Sequence, residues 1–426
     1  MKVIRSYPAI SFFLLCMLLY ADTSAQENYI KVSAQYRIRP EFREGYKTLS
    51  TDTSKAAFFI TQRARLAFEL KQGNIQFYSS IQDIRTWGDE EQLKDIPGLS
   101  VNELWLELGL KKGFSLRMGR QELVYDDQRL LGNLDWANAT RSHDALLLKY
   151  TNAEKKINWH VGGAFNQNGE PLFSTDYAVK NYKFLAFTWF KKQFAKSSLA
   201  ATVVVNGLNA IQPSTKKTFT SYTFGPLYNF QDGHFKALLG AYYQAGKTEN
   251  GLSLDAAMAN TYFEMRNNKL FGGLGFDYIS GNSDNTATNK NHNFSTLYAT
   301  NHKFYGYMDY FTNLPVDTKQ RGLMDPYVRF GLITNKKITT TIDVHHFSLA
   351  HENNLLSKSI KKNLGSEVDL LFDYKISPLI TFTSGYSMMF ATNNMESIKG
   401  GNKNNYNGWA FIMLKVTPTF TQDFKK

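Results

Sequence analysis

Connections of two lengths take turns along this chain. The short ones are "KQGN" (71–74), "KKG" (111–113), "NAEKK" (152–156), "KQFAKSS" (192–198), "QDG" (231–233), "RNNK" (266–269), "TNKK" (334–337) and "SP" (377–378). Nine longer connections alternate with these eight, the longest running from about 282 to 320. Seventeen connections join eighteen segments. Short turns at one end and long loops at the other are the habit of a bacterial outer-membrane barrel. A soluble sandwich has no reason to sort its loops this way.

The segments themselves read as strands. In "YIKVSAQYRIR", Ile30, Val32, Ala34, Tyr36 and Ile38 share one face, and Lys31, Ser33, Gln35, Arg37 and Arg39 share the other. "FITQRARLAFEL" sets Ile60, Ala64, Leu66, Phe68 and Leu70 against Thr61, Arg63, Arg65 and Glu69. "VNELWLELGL" sets Leu104, Leu106, Leu108 and Leu110 against Glu103, Trp105 and Glu107. A period of two with one apolar face is the mark of a strand. Aromatic residues make up 15% of the chain, yet mean hydropathy is −0.37, so apolarity is hidden in alternation. The expected fold is all-β: a single antiparallel transmembrane barrel of about eighteen strands, wide enough for an aqueous channel. The least regular strands lie around 183–190 and 252–264.

The N-terminus sets the compartment. Lys2 and Arg5 precede the apolar run "AISFFLLCMLLY" (9–20), and "TSA" (23–25) offers a small-residue cleavage site. This reads as a signal peptide over 1–25, with the barrel over 26–426. The run is too short for a spanning helix, which needs about 20 apolar residues. Leu14 and Leu15 before Cys16 do not suit a lipoprotein signal. The mature chain then has no Cys, which excludes disulfides and thiolate metal sites. Of 49 basic and 37 acidic residues, Lys2, Arg5 and Asp22 leave with the signal; 47 and 36 remain, a net +11. The expected location is the outer membrane, with the first strand climbing from the periplasm and odd-numbered connections outside.

Arginine is unevenly spread. Ten of the fourteen lie between 26 and 150: Arg37, Arg39, Arg43, Arg63, Arg65, Arg85, Arg117, Arg120, Arg129 and Arg141. Arg266, Arg321 and Arg329 follow later. Alternation places Arg37, Arg39, Arg63, Arg65 and Arg117 opposite the lipid face, on one wall of the lumen. Guanidinium matches a carboxylate bidentately, as ammonium does not. Such a wall suits carboxylated or sulfated solutes, with Arg85 and Arg329 as further candidates. The competing reading has these Arg pair with Asp83, Glu69, Glu103 and Glu107 and brace the wall. Many Lys sit in the short turns and loops, where they are expected only to solvate the surface. No cofactor, metal or nucleic acid is expected.

"FITQRARLAFEL", "IQDIRTWGDE", "NELWLELGL", "LRMGRQELVYDDQRLLGNLDWANATRSHDALLL" and "TNHKFYGYMDYF" resemble the alginate-export family of outer-membrane barrels. The resemblance is closest over 61–148 and 301–311. It implies an eighteen-stranded monomer with an Arg-rich, anion-selective pore for an acidic polysaccharide. It further implies pore roles for Arg63, Arg65, Arg120, Arg129 and Arg141, with Asp135 and Asp144 as partners. A departure is the end of the chain, where Lys425 and Lys426 follow Phe424; an aromatic signal for the barrel-assembly machinery would start at Phe420. The partners expected are outer-membrane lipid, that machinery, and anionic polysaccharide or small anionic solutes.

The rivals are a general porin, a plugged surface-binding barrel and an outer-membrane enzyme. Ser142, His143 and Asp144 are adjacent, so a strand turns them to opposite faces and they cannot form a triad. His345 and His346 are divided in the same way. The loop over 282–320 is expected to narrow the channel, since "HKFYGYMDYF" holds too much aromatic surface to stay in water. Packing on the outer rim is its alternative.

Overall fold

A computed structural model of the chain describes residues 28–94, 96–173, 181–210, 217–354 and 359–424. The expected signal segment, 1–25, lies outside the described residues. The first half of the wall runs β1 (Tyr29–Glu44), β2 (Ala57–Gln72), β3 (Ile75–Thr86), β4 (Leu99–Gly109), β5 (Phe114–Gln121), β6 (His143–Asn152), β7 (Ile157–Phe165), β8 (Phe184–Gln193) and β9 (Ser197–Asn209). The second runs β10 (Thr218–Gln231), β11 (Phe235–Lys247), β12 (Ser253–Arg266), β13 (Leu270–Ile279), β14 (Lys290–Asn291), β15 (Leu323–Asn335), β16 (Ile338–Ser348), β17 (Asn363–Ser377), β18 (Ile380–Ala391), β19 (Gly408–Val416) and β20 (Thr419–Asp423). β14 is a two-residue strand inside a loop, lying parallel to β12. β20 continues β19 past Pro418. The wall therefore has 18 staves, as the connection lengths predict.

Each stave pairs antiparallel with its sequence neighbour, and β1 pairs with both β19 and β20 to close the ring. Closure leaves no strand edge unpaired in lipid, where an unsatisfied backbone group is costly. The faces are those read from the sequence. On the lipid side Val32, Tyr36, Leu66, Phe68 and Leu104 are exposed; on the inner side Arg37, Arg39, Arg63 and Trp105 are buried. Phe420 stands on the lipid face of β20 opposite Val32.

The eight short turns and nine long connections alternate as expected. The turns are tight for local reasons. Gly113 takes φ +80°, and a Cβ there would sit 2.3 Å from the Thr151 carbonyl oxygen, so no side chain fits. The long connection over 280–322 holds two 3₁₀ turns, Asn301–Lys303 and Val316–Thr318. The one described α-helix, α1 (Asn393–Lys399), lies in the last long loop and is capped by Thr392.

The hydrophobic core lies inside the barrel. Phe294, Tyr305, Met308, Tyr310 and Phe311 of the 280–322 loop are each 1% exposed or less. They pack with wall residues Tyr242, Met258, Phe347, Met389, Trp409 and Phe411. A second cluster joins Leu123 and Leu131 of the third outer loop to Leu147, Leu185, Phe187 and Val204 of the wall. The aromatic loop thus turns inward, and rim packing is not what it does.

Candidate permeation pathway

The third outer loop, 122–142, is held by arginines of the first two staves. Arg37 donates to the carbonyl oxygens of Asp135 (2.5 Å) and Ala137 (2.8 Å) and to Asn138 Oδ1 (3.0 Å). Arg39 donates to the Trp136 carbonyl (2.7 Å), lies over the Trp136 ring at 4.2 Å, and pairs with Glu41 at 2.8 Å. Arg63 is wholly buried; it binds Gln35 and Asp135 Oδ1 (2.6 Å) and reaches the carbonyls of Ala137 and Asn138. Arg65 donates to Gln82 (2.8 Å) and Thr140 (3.1 Å), with Glu122 3.9 Å away. Burial works against charge on Asp135, but Arg63, Arg37 and Arg65 outweigh it and hold the carboxyl below its usual range. Alternation had put these guanidinium groups on the lumen face. What it could not show is that loop backbone occupies them.

The 280–322 loop locks onto the third loop. Gly132 N–H donates to the Tyr298 carbonyl, Tyr298 N–H to that of Leu130, and Thr300 N–H to that of Gln128. Arg141 reaches the carbonyls of Gly132 (3.4 Å) and Ala299 (3.2 Å), and burial pushes its guanidinium down to about 10. Arg129, also buried, bridges Asp127 (3.0 Å) to Asp277 of β13 (2.8 Å) and lies over Phe304 at 4.0 Å. Trp136 stacks on His302 with ring centres 4.4 Å apart and planes 13° apart. His302 Nδ1 is 2.5 Å from Asp309 Oδ1, and Tyr46 of the first loop donates to Asp309 Oδ2. Burial raises the Asp309 carboxyl, but His302 and Tyr46 prevail and hold it low.

Three cavities surround this junction. The outer one, 380 Å³, is lined only by outer-loop residues, among them Lys47, Arg141 and Asn313. A second, 360 Å³, lies against β1 and β17–β19 and includes Arg37, Asp373 and Lys415. The third, 390 Å³, lies against β8–β12, β15 and β16 and includes Lys191, Lys236 and Arg329. Trp136 and His302 line both the outer cavity and the second. Lys303 and Tyr307 line both the second and the third. The stacked pair therefore stands between the outer cavity and the second one, and Lys303 stands between the two inner spaces.

The remaining candidates scatter. Arg117 faces the lumen, bonded to Glu107 at 2.6 Å and 3.7 Å over the Trp105 ring. Arg329 makes a two-point contact with Asp343 (2.7 and 2.6 Å) and lines the third cavity. Arg85 pairs with Asp83 (2.8 Å) and Glu90 (3.3 Å) at the base of the second outer loop. Arg120 and Asp144 do meet, at 3.5 Å, but on the outward face, beside exposed Leu104 and Leu146. That placement corrects the pore role expected for them: the pleat sends them away from the lumen. Four lysines absent from the expected site residues, Lys191, Lys236, Lys303 and Lys415, line the inner cavities. Strand parity flags the three on strands, as Lys415 alternates with Ile412 and Leu414 of the outer face, whereas Lys303 lies in a loop, where no period exists.

The adjacent triplet is divided as alternation requires. His143 points inward to Tyr182 (2.8 Å), while Asp144 is outside. His345 is buried against Asp325 (2.9 Å), and His346 faces outward to Ser366. Among the described residues no group of three His, Cys, Asp or Glu side chains is arranged to hold a metal ion.

Residues 28–178 match the alginate export family model. Among curated proteins, none matches the chain in sequence. Solved structures of like fold include OccAB4 of Acinetobacter baumannii, at 13% identity and TM-score 0.59, covering 94% of this chain and 100% of that one. A BenF-like porin of Pseudomonas fluorescens shows 12% identity and TM-score 0.61, covering 92% and 99%. OpdK of Pseudomonas aeruginosa, determined with vanillate, shows 10% identity and TM-score 0.58, covering 92% and 99%. These likenesses and the closed 18-stave wall give the chain the fold of the outer-membrane porins, with an alginate export sequence match over 28–178.

Proposed function

We propose that this channel passes anionic solutes, and that acidic sugar oligomers of the alginate kind suit its lumen. The observation that carries the reading is the charge of the two inner cavities. Arg37, Arg129, Lys191, Lys236, Lys303, Arg329 and Lys415 line them, against Asp126, Asp127, Asp135 and Asp373. Several of these cations are neutralised: Lys191 pairs with Asp126, Arg129 with Asp127 and Asp277, and Arg329 with Asp343. Lys236, Lys303 and Lys415 form no ion pair among the described residues. They are compact charges on flexible stems, suited to weak, releasable contacts. Tyr262, Tyr307, Tyr327 and Phe304 stand among them and offer flat apolar faces to the C–H edges of a sugar ring. The alginate export match over 28–178 and the vanillate in a barrel of like fold agree with a carboxylated solute.

The test is a reversal potential across a planar bilayer under a salt gradient. The wild type should prefer anions, more strongly at low salt. Lys236→Glu, Lys303→Glu and Lys415→Glu together should move the potential toward cations. Acidic oligosaccharides should block at lower concentration than neutral ones. A folded triple variant with unchanged potential rejects the reading.

A further inference from the structure

The cations of the short turns gather at the barrel end opposite the long loops. Five of the eight turns, 111–113, 152–156, 192–198, 266–269 and 334–337, carry two cations each, and Lys71 adds one. Glu154 and Asp232 are the only acids in the eight turns. Eleven less two is +9, out of +11 for residues 26–426. Everything else in the barrel, the wall, the lumen and the outer loops together, sums to +2. Lys112, Lys155, Lys156, Lys269, Lys336 and Lys337 are exposed. Among the described residues, turn cations form the ion pairs Lys196–Asp232 at 3.9 Å and Arg266–Glu264 at 2.6 Å.

The height of this ring follows from the register. Gln72 pairs with Ile75 and Asn152 with Ile157, so the turns barely rise above the last ladder rung. Exposed apolar side chains occupy the same level: Phe194 and Leu379 within turns, and Ile75 and Leu270 on the first rungs beyond them. Such groups belong where acyl chains end. Lysine placed there runs its stem along the apolar surface and lifts its ammonium to the headgroups. Neighbouring turns are two strands apart, about 10 Å, close to the Debye length of ~8 Å at physiological salt. Their fields overlap, so the ring repels itself unless a counter-charge sits beside it.

We infer that the short-turn rim binds the phosphate headgroups of anionic lipid in the leaflet it faces. Lipid fits better than an acidic protein, because the apolar side chains interleaved with the cations need acyl chains as neighbours. Lipid also fits better than a transported solute, because the partner must lie outside the ring to cover Phe194 and Leu379.

The full barrel, purified and stripped of lipid, is offered phosphatidylglycerol and phosphatidylcholine in competition, and bound lipid is read by native mass spectrometry. The comparison variant carries K112Q, K155Q, K156Q, K269Q, K336Q and K337Q, all at exposed turn positions. Wild type should retain phosphatidylglycerol several-fold over phosphatidylcholine at low salt, and the variant should lose most of that preference. Equal retention of the two lipids by the wild type overturns the inference, as does a preference the variant keeps. Poly-glutamate displacing phosphatidylglycerol from the wild type, with weaker displacement from the variant, would assign the ring to an acidic polypeptide and also overturn it. A lipid preference that fails while the triple lumen variant still shifts the reversal potential would remove this inference and leave the proposed function standing.

Discussion

Replacing Arg63 by Met should loosen the third outer loop without reversing ion preference. The side chain is wholly buried, and most of what it touches belongs to residues 135–138. Its bond to Asp135 is charge-assisted, a class worth about 1.5–3 kcal/mol. The Asp135 side chain is 50% exposed, so the lower end of that range applies. The contacts to the carbonyls of Ala137 and Asn138, at 3.4 and 3.3 Å, are long and add about 0.5 kcal/mol each. The loss is about 2.5 kcal/mol of loop docking, or about 60-fold in the ratio of docked to undocked loop at 1.4 kcal/mol per tenfold. Methionine keeps the bulk and leaves Asp135 with Arg37 at 4.0 Å. Single-channel recording should show longer or more frequent high-conductance intervals. The reversal potential should stay anionic, because Lys236, Lys303 and Lys415 are untouched. Asp135→Asn should produce a weaker form of the same change, and the double variant should fall short of the sum. Gating indistinguishable from wild type in a heat-modifiable, folded Arg63→Met barrel would refute the latch. A reversal potential that swings to cations would show that Arg63 meets the solute.

Trp136→Ala should join the outer cavity to the second one and raise single-channel conductance; unchanged conductance would place the partition elsewhere. Phe311→Ala removes a side chain with no exposure that packs 4.7 Å from Phe347, ring centre to ring centre. It should cost about 3–5 kcal/mol of packing and expose the loop to limited proteolysis before the wall unfolds. Asp309 is a depressed carboxylate, so its stabilising effect is complete above the ordinary value of 3.8 and fades as pH falls through its lower folded value. Fluorescence from tryptophan, Trp136 included, should accordingly change below about pH 4, where free aspartate takes up its proton. Asp309→Asn should abolish that change, and a transition that survives in it would refute the assignment.

Period-two alternation made the wall legible, because each strand has only two faces and one of them must tolerate lipid. Turn chemistry made the stave count legible, down to the irregular β8 and β12. The inward fold of the 280–322 loop could be anticipated from "HKFYGYMDYF" alone, since water could not have kept five aromatic side chains and a methionine exposed. Its partners could not. Loop residues have no period, so nothing local links Trp136 to His302 or Arg129 to Asp277, 148 positions away. The misplacement of Arg120 is instructive. Arg117 and Arg120 are three apart, an odd number, and a regular strand must turn them to opposite faces. Family resemblance favours Arg120 as a pore residue, alternation favours Arg117, and parity is the better guide. Lysine gives a weaker signal because much of it lies in turns and loops; Lys191, Lys236 and Lys415, on strands, differ only in parity from neighbours that face lipid, and Lys303, in a loop, has no parity to read.

Trp136 also touches both sides of the barrel's closing joint. Its carbonyl and ring engage Arg39 on β1, and the same ring packs edge-on against Trp409 and Phe411 of β19. Trp409 in turn donates to Glu41 on β1 at 2.9 Å. The first and last staves meet nowhere else in the sequence, so this joint can form only after the whole chain has been made. A loop residue that spans it cannot find its full set of contacts until the ring is shut. The third loop therefore behaves as a clasp fastened last: an unfinished barrel lacks the finished constriction, and a finished one must release the clasp before its seam can part. On that account, variants of Trp136 should shorten the lifetime of the folded barrel in denaturant more than they slow its formation.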